Sequence, residues 1–200
     1  MLQVSCMSED IKELLSSHYV LISCEGTCEQ VIVDTLLSGE KLAVPMENLV
    51  TDPSQGTPYT RLRKAPDIQE AFLGLDYQMG DNPELVLARI VDVNPGAFTL
   101  RRLYRDRVIV RDFVTQPEIE MLMIFKEGAF QSWSNHRVKG RQLKPSEFCS
   151  RELGYKYLKS ERFLRDYWSD PEEVVRCIRE YHSCIGRRKR GQLELADLLA

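Results

Sequence analysis

Three short apolar runs constrain the fold more than any other feature of this chain. Tyr19 to Cys24 (YVLISC), Leu85 to Val91 (LVLARIV) and Val108 to Val114 (VIVRDFV) are of strand length and rich in β-branched residues. The first stops at Glu25-Gly26, where glycine permits a sharp turn, and the second at Asp92-Val93-Asn94-Pro95-Gly96. Helical spacing lies between and after them. Val31, Ile32, Val33, Leu36 and Leu37 share one broad helical face, with Thr27 as the expected N-cap and Gly39 as the stop. Ile68 to Leu75 reads as a helix opening behind Pro66, and Phe98 to Tyr104 as a short one. After the third run, Pro117 opens Glu118 to Phe125, apolar nearly all round, as in a buried helix. This alternation predicts βαβ units and therefore an α/β fold, with a mainly parallel sheet covered by helices on both faces.

The remaining segments fit around that frame. Lys41 to Val44 reads as a further short strand, and Asp52 to Thr60, with Pro53, Gly56 and Pro58, as a loop. Beyond Gly128 the strand signals fade, while Ser146 to Leu153, Glu161 to Trp168 and Pro171 to Ile185 show helical spacing. Asp170-Pro171-Glu172-Glu173 is a strong helix start, with a capping acid and proline at the first helical position. Leu193 to Leu199 is expected to form a last helix. A chain of 200 residues suits one well-buried core. We therefore expect an α/β core over residues 1–128 and a helical extension over 129–200, packed on the same domain.

Composition excludes several classes. No apolar run approaches the roughly 18 residues of a membrane span, and Met1 to Asp10 lacks the form of a signal peptide. The six cysteines show neither CxxC pairs nor zinc-like spacing, so they read as reduced packing residues of a cytoplasmic protein. Charge is uneven along the chain. Residues 1–100 hold 6 Lys or Arg against 15 Asp or Glu, and residues 101–200 hold 21 against 15. An acidic half followed by a basic one suits a cation site beside a polyanion-binding surface.

The common catalytic motifs are missing: no GxxxxGK[ST], no GxGxxG, no HExxH around the three histidines, and no GxSxG. Carboxylates remain. In a parallel α/β sheet the carboxyl ends of the strands share one edge, where the binding crevice forms. Glu25 and Asp92 directly follow expected strands, Glu29 lies in the first turn of the next helix, and Glu118 and Glu120 follow the third strand. Oxygen-rich clusters of this kind suit a hard cation such as Mg²⁺ or Mn²⁺. Acids are also ordinary turn and cap residues, and Glu29 at a helix start favours the macrodipole whatever else it does.

Cys24-Glu25-Gly26-Thr27-Cys28-Glu29 resembles the first motif of Toprim-type domains of the RloB-like and OLD-nuclease-like kind. Asp92-Val93-Asn94 lies where those families carry Asp-x-Asp, and Pro117-Glu118-Ile119-Glu120-Met121-Leu122 resembles their later Pro-containing motif. The three matches run in order from Tyr19 to Phe125. The resemblance implies a Toprim/Rossmann-like fold and a Mg²⁺-dependent (or Mn²⁺-dependent) nuclease acting on DNA or RNA phosphodiesters, in restriction or phage defence. It assigns Glu25 as metal ligand or catalytic acid/base, and Glu29, Asp92 and Glu120 to the metal. Asn94 departs from the pattern, replacing the second acid and removing one negative charge.

Phosphate neutralisation calls for basic groups. Arg101 and Arg102 follow the Asp92 loop, and Arg187, Arg188, Lys189 and Arg190 form a run between helical segments; both are candidate nucleic-acid contacts. The competing expectation, favoured by Asn94, is a non-catalytic member of the same fold that binds nucleic acid or serves a protein partner in a complex. A small-molecule binder using the same crevice is a third class.

Overall fold

The computed structural model of the chain describes residues 11–74, 85–92, 97–138, 140–184 and 191–200. The three expected strands form: β1 (Tyr19–Cys24), β2 (Leu85–Asp92) and β3 (Val108–Thr115). They make one parallel sheet in the order β1-β2-β3, with Tyr19 opposite Leu85 and Leu85 opposite Val108. β2 is central and buried along all but its last residue, as a parallel strand covered on both faces must be.

Alternation along the strands divides the core. Val20, Ile22 and Cys24, with Val86, Ala88, Ile90 and Phe113, face the larger cluster. Against it pack α1 (Thr27–Ser38) and, further along the chain, α4 (Met121–Lys126), α6 (Pro145–Arg151), α7 (Glu161–Tyr167) and α8 (Pro171–Cys184). Leu21, Leu85, Leu87 and Val108 face the smaller cluster with Ile68 and Phe72, where α2 (Ala65–Ala71) lies. Each fully buried Leu, Ile or Val contributes about 1.5–3 kcal/mol through its removal from water.

Several boundaries differ from expectation for local reasons. Gly26, with extended backbone, is the N-cap of α1, and Thr27 is already helical. α2 starts at Ala65, after Lys64; the expected end of this helix, Leu75, lies outside the described residues. The helix expected over Phe98 to Tyr104 shrinks to α3 (Arg102–Arg105), and Phe98 lies outside it with the Arg89 guanidinium 4.1 Å from its ring centre. Glu118 to Glu120 form a turn ahead of α4 rather than its first residues.

Lys41 to Val44 is not a strand of the sheet. Its backbone instead meets the last residues of the chain, with Leu42 bridging Leu199 and Ala43 N–H donating to Leu198 O at 2.8 Å. The helix expected over Leu193 to Leu199 is a 3-10 turn, Leu195–Leu198. After α5 (Phe130–Asn135) comes a two-residue hairpin that the sequence reading passed over, β4 (Arg137–Val138) with β5 (Arg141–Gln142). Gly140 adopts φ +76° beside its turn, a conformation other residues avoid. Asp170 caps α8 as expected, accepting from Glu172 N at 2.9 Å.

The outer edges of the sheet do not stand bare near its carboxyl end. Along β1, Val50 N–H donates to Val20 O at 2.9 Å, and Cys24 N–H to Thr60 O at 3.0 Å. Along β3, Val114 N–H donates to Leu193 O at 2.9 Å, and Phe113 bridges Leu193 in parallel. No helix among the described residues is long and apolar enough to cross a membrane. Cys24, Cys28, Cys149, Cys177 and Cys184 are free thiols; Cys6 lies outside the described residues.

Candidate functional site

Parallel pairing brings the ends of the three strands to one edge, where Glu25 follows β1, Asp92 ends β2 and Thr115 ends β3 opposite Asp92. Glu25 is shared between two neighbours: its Oε1 accepts from Arg63 at 3.2 Å and its Oε2 from the Asp92 backbone N–H at 3.3 Å. Asp92 Oδ1 accepts from the Thr115 hydroxyl at 2.9 Å. The turn after β3 is pinned from α8. Tyr181 Oη accepts from Gln116 N at 2.7 Å and donates to Gln116 O at 2.6 Å, fixing the segment that carries Glu118 and Glu120. Glu118 accepts from Ser146 N at 3.0 Å and faces Lys144 Nζ at 3.9 Å.

Glu29 is the buried member, only 6% exposed. It sits in the first turn of α1, and its carboxylate folds back over Gly26: a Cβ added there would lie 2.8 Å from Glu29 Oε2. A side chain at Gly26 would have to displace the end of the Glu29 carboxylate. Burial pushes the Glu29 carboxyl up to about 7, and the charges of Asp92, Glu120 and Glu25 each push in the same direction. Asp92 is also raised, first by loss of water, then by Glu25 and Glu118, with the Thr115 hydroxyl opposing. Glu120 is raised by burial, then by Glu118 and Asp92. The strand ends therefore hold carboxylates close enough to repel one another, a field that favours a proton or a cation.

Carboxylates are the donor type that a hard divalent ion takes, and Mg²⁺ uses one or two of them together with waters and substrate phosphates. Among the described residues no group of three or more Asp, Glu, His or Cys side chains is arranged to hold a metal ion. Asn94 and the 187 to 190 run lie outside the described residues.

Comparison with family models, with curated proteins and with solved structures finds no match for this chain. The reading of the site therefore rests on its own geometry.

Basic residues are distributed differently from the sequence expectation. Arg101 and Arg102 are exposed, but they precede β3. Arg101 N–H donates to Gln69 Oε1 at 2.6 Å, and Arg107 O accepts from Leu85 N at 3.2 Å, where β2 begins. This puts α3 toward the amino edge of the sheet, across from the carboxylates. Among the described residues, Arg63 pairs with Glu25, Lys144 faces Glu118, the charge of Lys159 bears on Glu120, and Lys64 and Arg89 line a cavity with Glu25. Sequence reasoning missed them. Arg89 had left a signal, since an arginine amid LVLARIV must find a partner on one face of the sheet; it pairs with Asp112 at 3.1 Å across the β2-β3 register.

Proposed function

We propose that this protein acts on nucleic-acid phosphodiesters as a Mg²⁺- or Mn²⁺-dependent nuclease built on a Toprim-like core, in a defence or restriction setting. The observation that carries this reading is the gathering of acids at the carboxyl edge of the parallel sheet, where Glu25 follows β1, Asp92 ends β2, and the charges of Asp92, Glu120 and Glu25 all bear on buried Glu29. Perturbed acids in a crevice are a mark of catalytic sites. Asp92 and Glu120 would hold the ion, with Glu29 behind them. A bound ion would neutralise phosphate charge and lower the pKa of its water.

The chain's own residues do the rest. Glu25, held between Arg63 and the Asp92 amide, keeps the ends of β1 and β2 in register. Glu29, with a proton affinity near neutrality, can accept or hold a proton at Oε2 without a large energetic penalty. Arg63 and Lys144 flank the edge from two sides and would neutralise incoming phosphate oxygens.

A binding subunit without catalysis is the second reading, favoured by Glu25 being engaged by Arg63 and by the open arrangement of the acids. One experiment separates the two. Purified protein is incubated with Mn²⁺ and either supercoiled plasmid or single-stranded oligonucleotide, beside Asp92→Asn and Glu120→Gln. Cleavage by the wild type that both variants lose supports the nuclease. Cleavage that survives both variants, or none with any nucleic acid, sinks it and leaves the binding subunit.

A further inference from the structure

A cavity of about 560 Å³ opens beside Glu25 on the face of the sheet away from α1. Its volume lies within the roughly 300–1,000 Å³ of small-molecule sites. Ser23, Arg63, Lys64, Arg89 and Phe98 give it its chemistry. Arg63 and Lys64 are exposed at the rim. Arg89 is buried, its guanidinium 3.1 Å from Asp112 and 4.1 Å from the centre of the Phe98 ring. The guanidinium covers one face of the ring, so a base would stack on the other. The Ser23 hydroxyl donates to Leu62 O at 2.7 Å and keeps lone pairs to accept from a base N–H.

Cations at the mouth, an aromatic ring in the wall and a hydrogen-bond acceptor at depth are the requirements of a phosphate joined to a planar heterocycle. We propose that this cavity receives one unpaired nucleotide, making single-stranded rather than duplex nucleic acid the substrate class; the inference rests on the phosphodiester reading above. A base can reach Phe98 only after leaving its stack and its partner. Glu25 supplies the link to the acidic edge, because it lines the cavity and also contacts Asp92. A strand with one nucleotide seated here would present the neighbouring phosphate to the carboxylates.

The test is binding in EDTA, so that cleavage plays no part. Anisotropy is read for a labelled ten-residue oligothymidylate and a labelled blunt duplex, with thymidine 5′-monophosphate as competitor. The single strand should bind at least tenfold tighter than the duplex. Phe98→Leu should weaken the single strand about tenfold while leaving the duplex unchanged, since stacking is lost and phosphate contacts are kept. Arg63→Gln with Lys64→Gln should weaken binding and flatten its salt dependence. Melting curves of each variant establish that it is folded, and the exposed Lys64→Gln alone provides a version that leaves packing untouched. Competition by the monophosphate at matching concentration identifies a free nucleotide as the ligand source; competition only by strands identifies a strand. Equal affinity for duplex and single strand, or a folded Phe98→Leu that binds as the wild type does, overturns the proposal. Failure to cleave with Mn²⁺ while this binding pattern holds would remove the nuclease reading alone.

Discussion

The backbone N–H of Asp92 donates to Oε2 of Glu25 at 3.3 Å, so the last residue of β2 is fastened to the first residue after β1. The other carboxylate oxygen of Glu25 is taken by Arg63. Glu25 is thus a structural tie as well as a member of the acidic edge, and substituting it disturbs both. Asp92 and Glu120 are the cleaner probes of chemistry.

Metal binding is the first expectation to check. Millimolar Mg²⁺ or Mn²⁺ should raise the thermal midpoint, since a ligand at a hundred times its Kd adds about 2.7 kcal/mol to the folded state. Asp92→Ala should abolish the rise, and Asn94→Asp should enlarge it by restoring a second acid. A midpoint indifferent to metal would count against the site.

Glu29 makes stability depend on pH. Its carboxyl is raised from 4.5 to about 7, so the folded protein binds the proton more tightly than the unfolded chain does. The favourable contribution is complete below about pH 4.5 and is lost as pH climbs through 7, a change on the order of 3 kcal/mol. Glu29→Gln, which cannot ionise, should therefore melt above the wild type at pH 8 and close to it at pH 4.5. A variant with the same offset at both values would mean that Glu29 does not carry this proton.

Thiol reactivity gives an independent check on packing. Cys149 is pushed up to about 12 and Cys177 to about 11 by burial, and burial also raises Cys24 and Cys28 well above the ordinary thiol value. In native buffer a thiol reagent should modify exposed Cys184 rapidly and spare these four, whereas all six should react in denaturant. Fast native labelling of Cys149 would contradict the described core.

Trp168 tests whether the carboxyl-terminal helices share the core of the sheet. It is fully buried, its carbonyl accepts from Thr35 on α1 at 2.8 Å, and its ring stands edge-on to Tyr167. Trp168→Ala should cost about 3–5 kcal/mol in a urea melt. The loss should appear in a single transition; two transitions would show that the helices fold apart from the sheet.

The strands were legible because a buried parallel strand has to be a short, nearly continuous apolar run, and these three are also rich in β-branched residues. The acids at their ends followed from topology alone. Less legible were elements decided by distant partners. Lys41 to Val44 has strand-like residues, yet its backbone is claimed by Leu198 and Ala200, which no local pattern announces. Phe98 was expected to open a helix, yet it lies outside α3 with its ring against Arg89. The same holds for the site. Arg101 and Arg102 follow Asp92 closely in sequence, but a parallel crossover must return to the far edge before the next strand, carrying them away. Arg63 comes from a different segment and arrives beside Glu25 because α2 packs on the smaller core.

The segment around Leu193 returns late in the chain to lie against β3 at Phe113 and Val114. A sheet of three strands would otherwise offer its hydrogen-bonding margin, just below the acidic edge, to any extended peptide. With that margin occupied by the protein's own backbone, whatever docks at this end must be recognised by side chains and not by strand addition. Deleting residues 191–200 would reopen the margin, and the shortened protein should self-associate with rising concentration, a behaviour that light scattering would reveal.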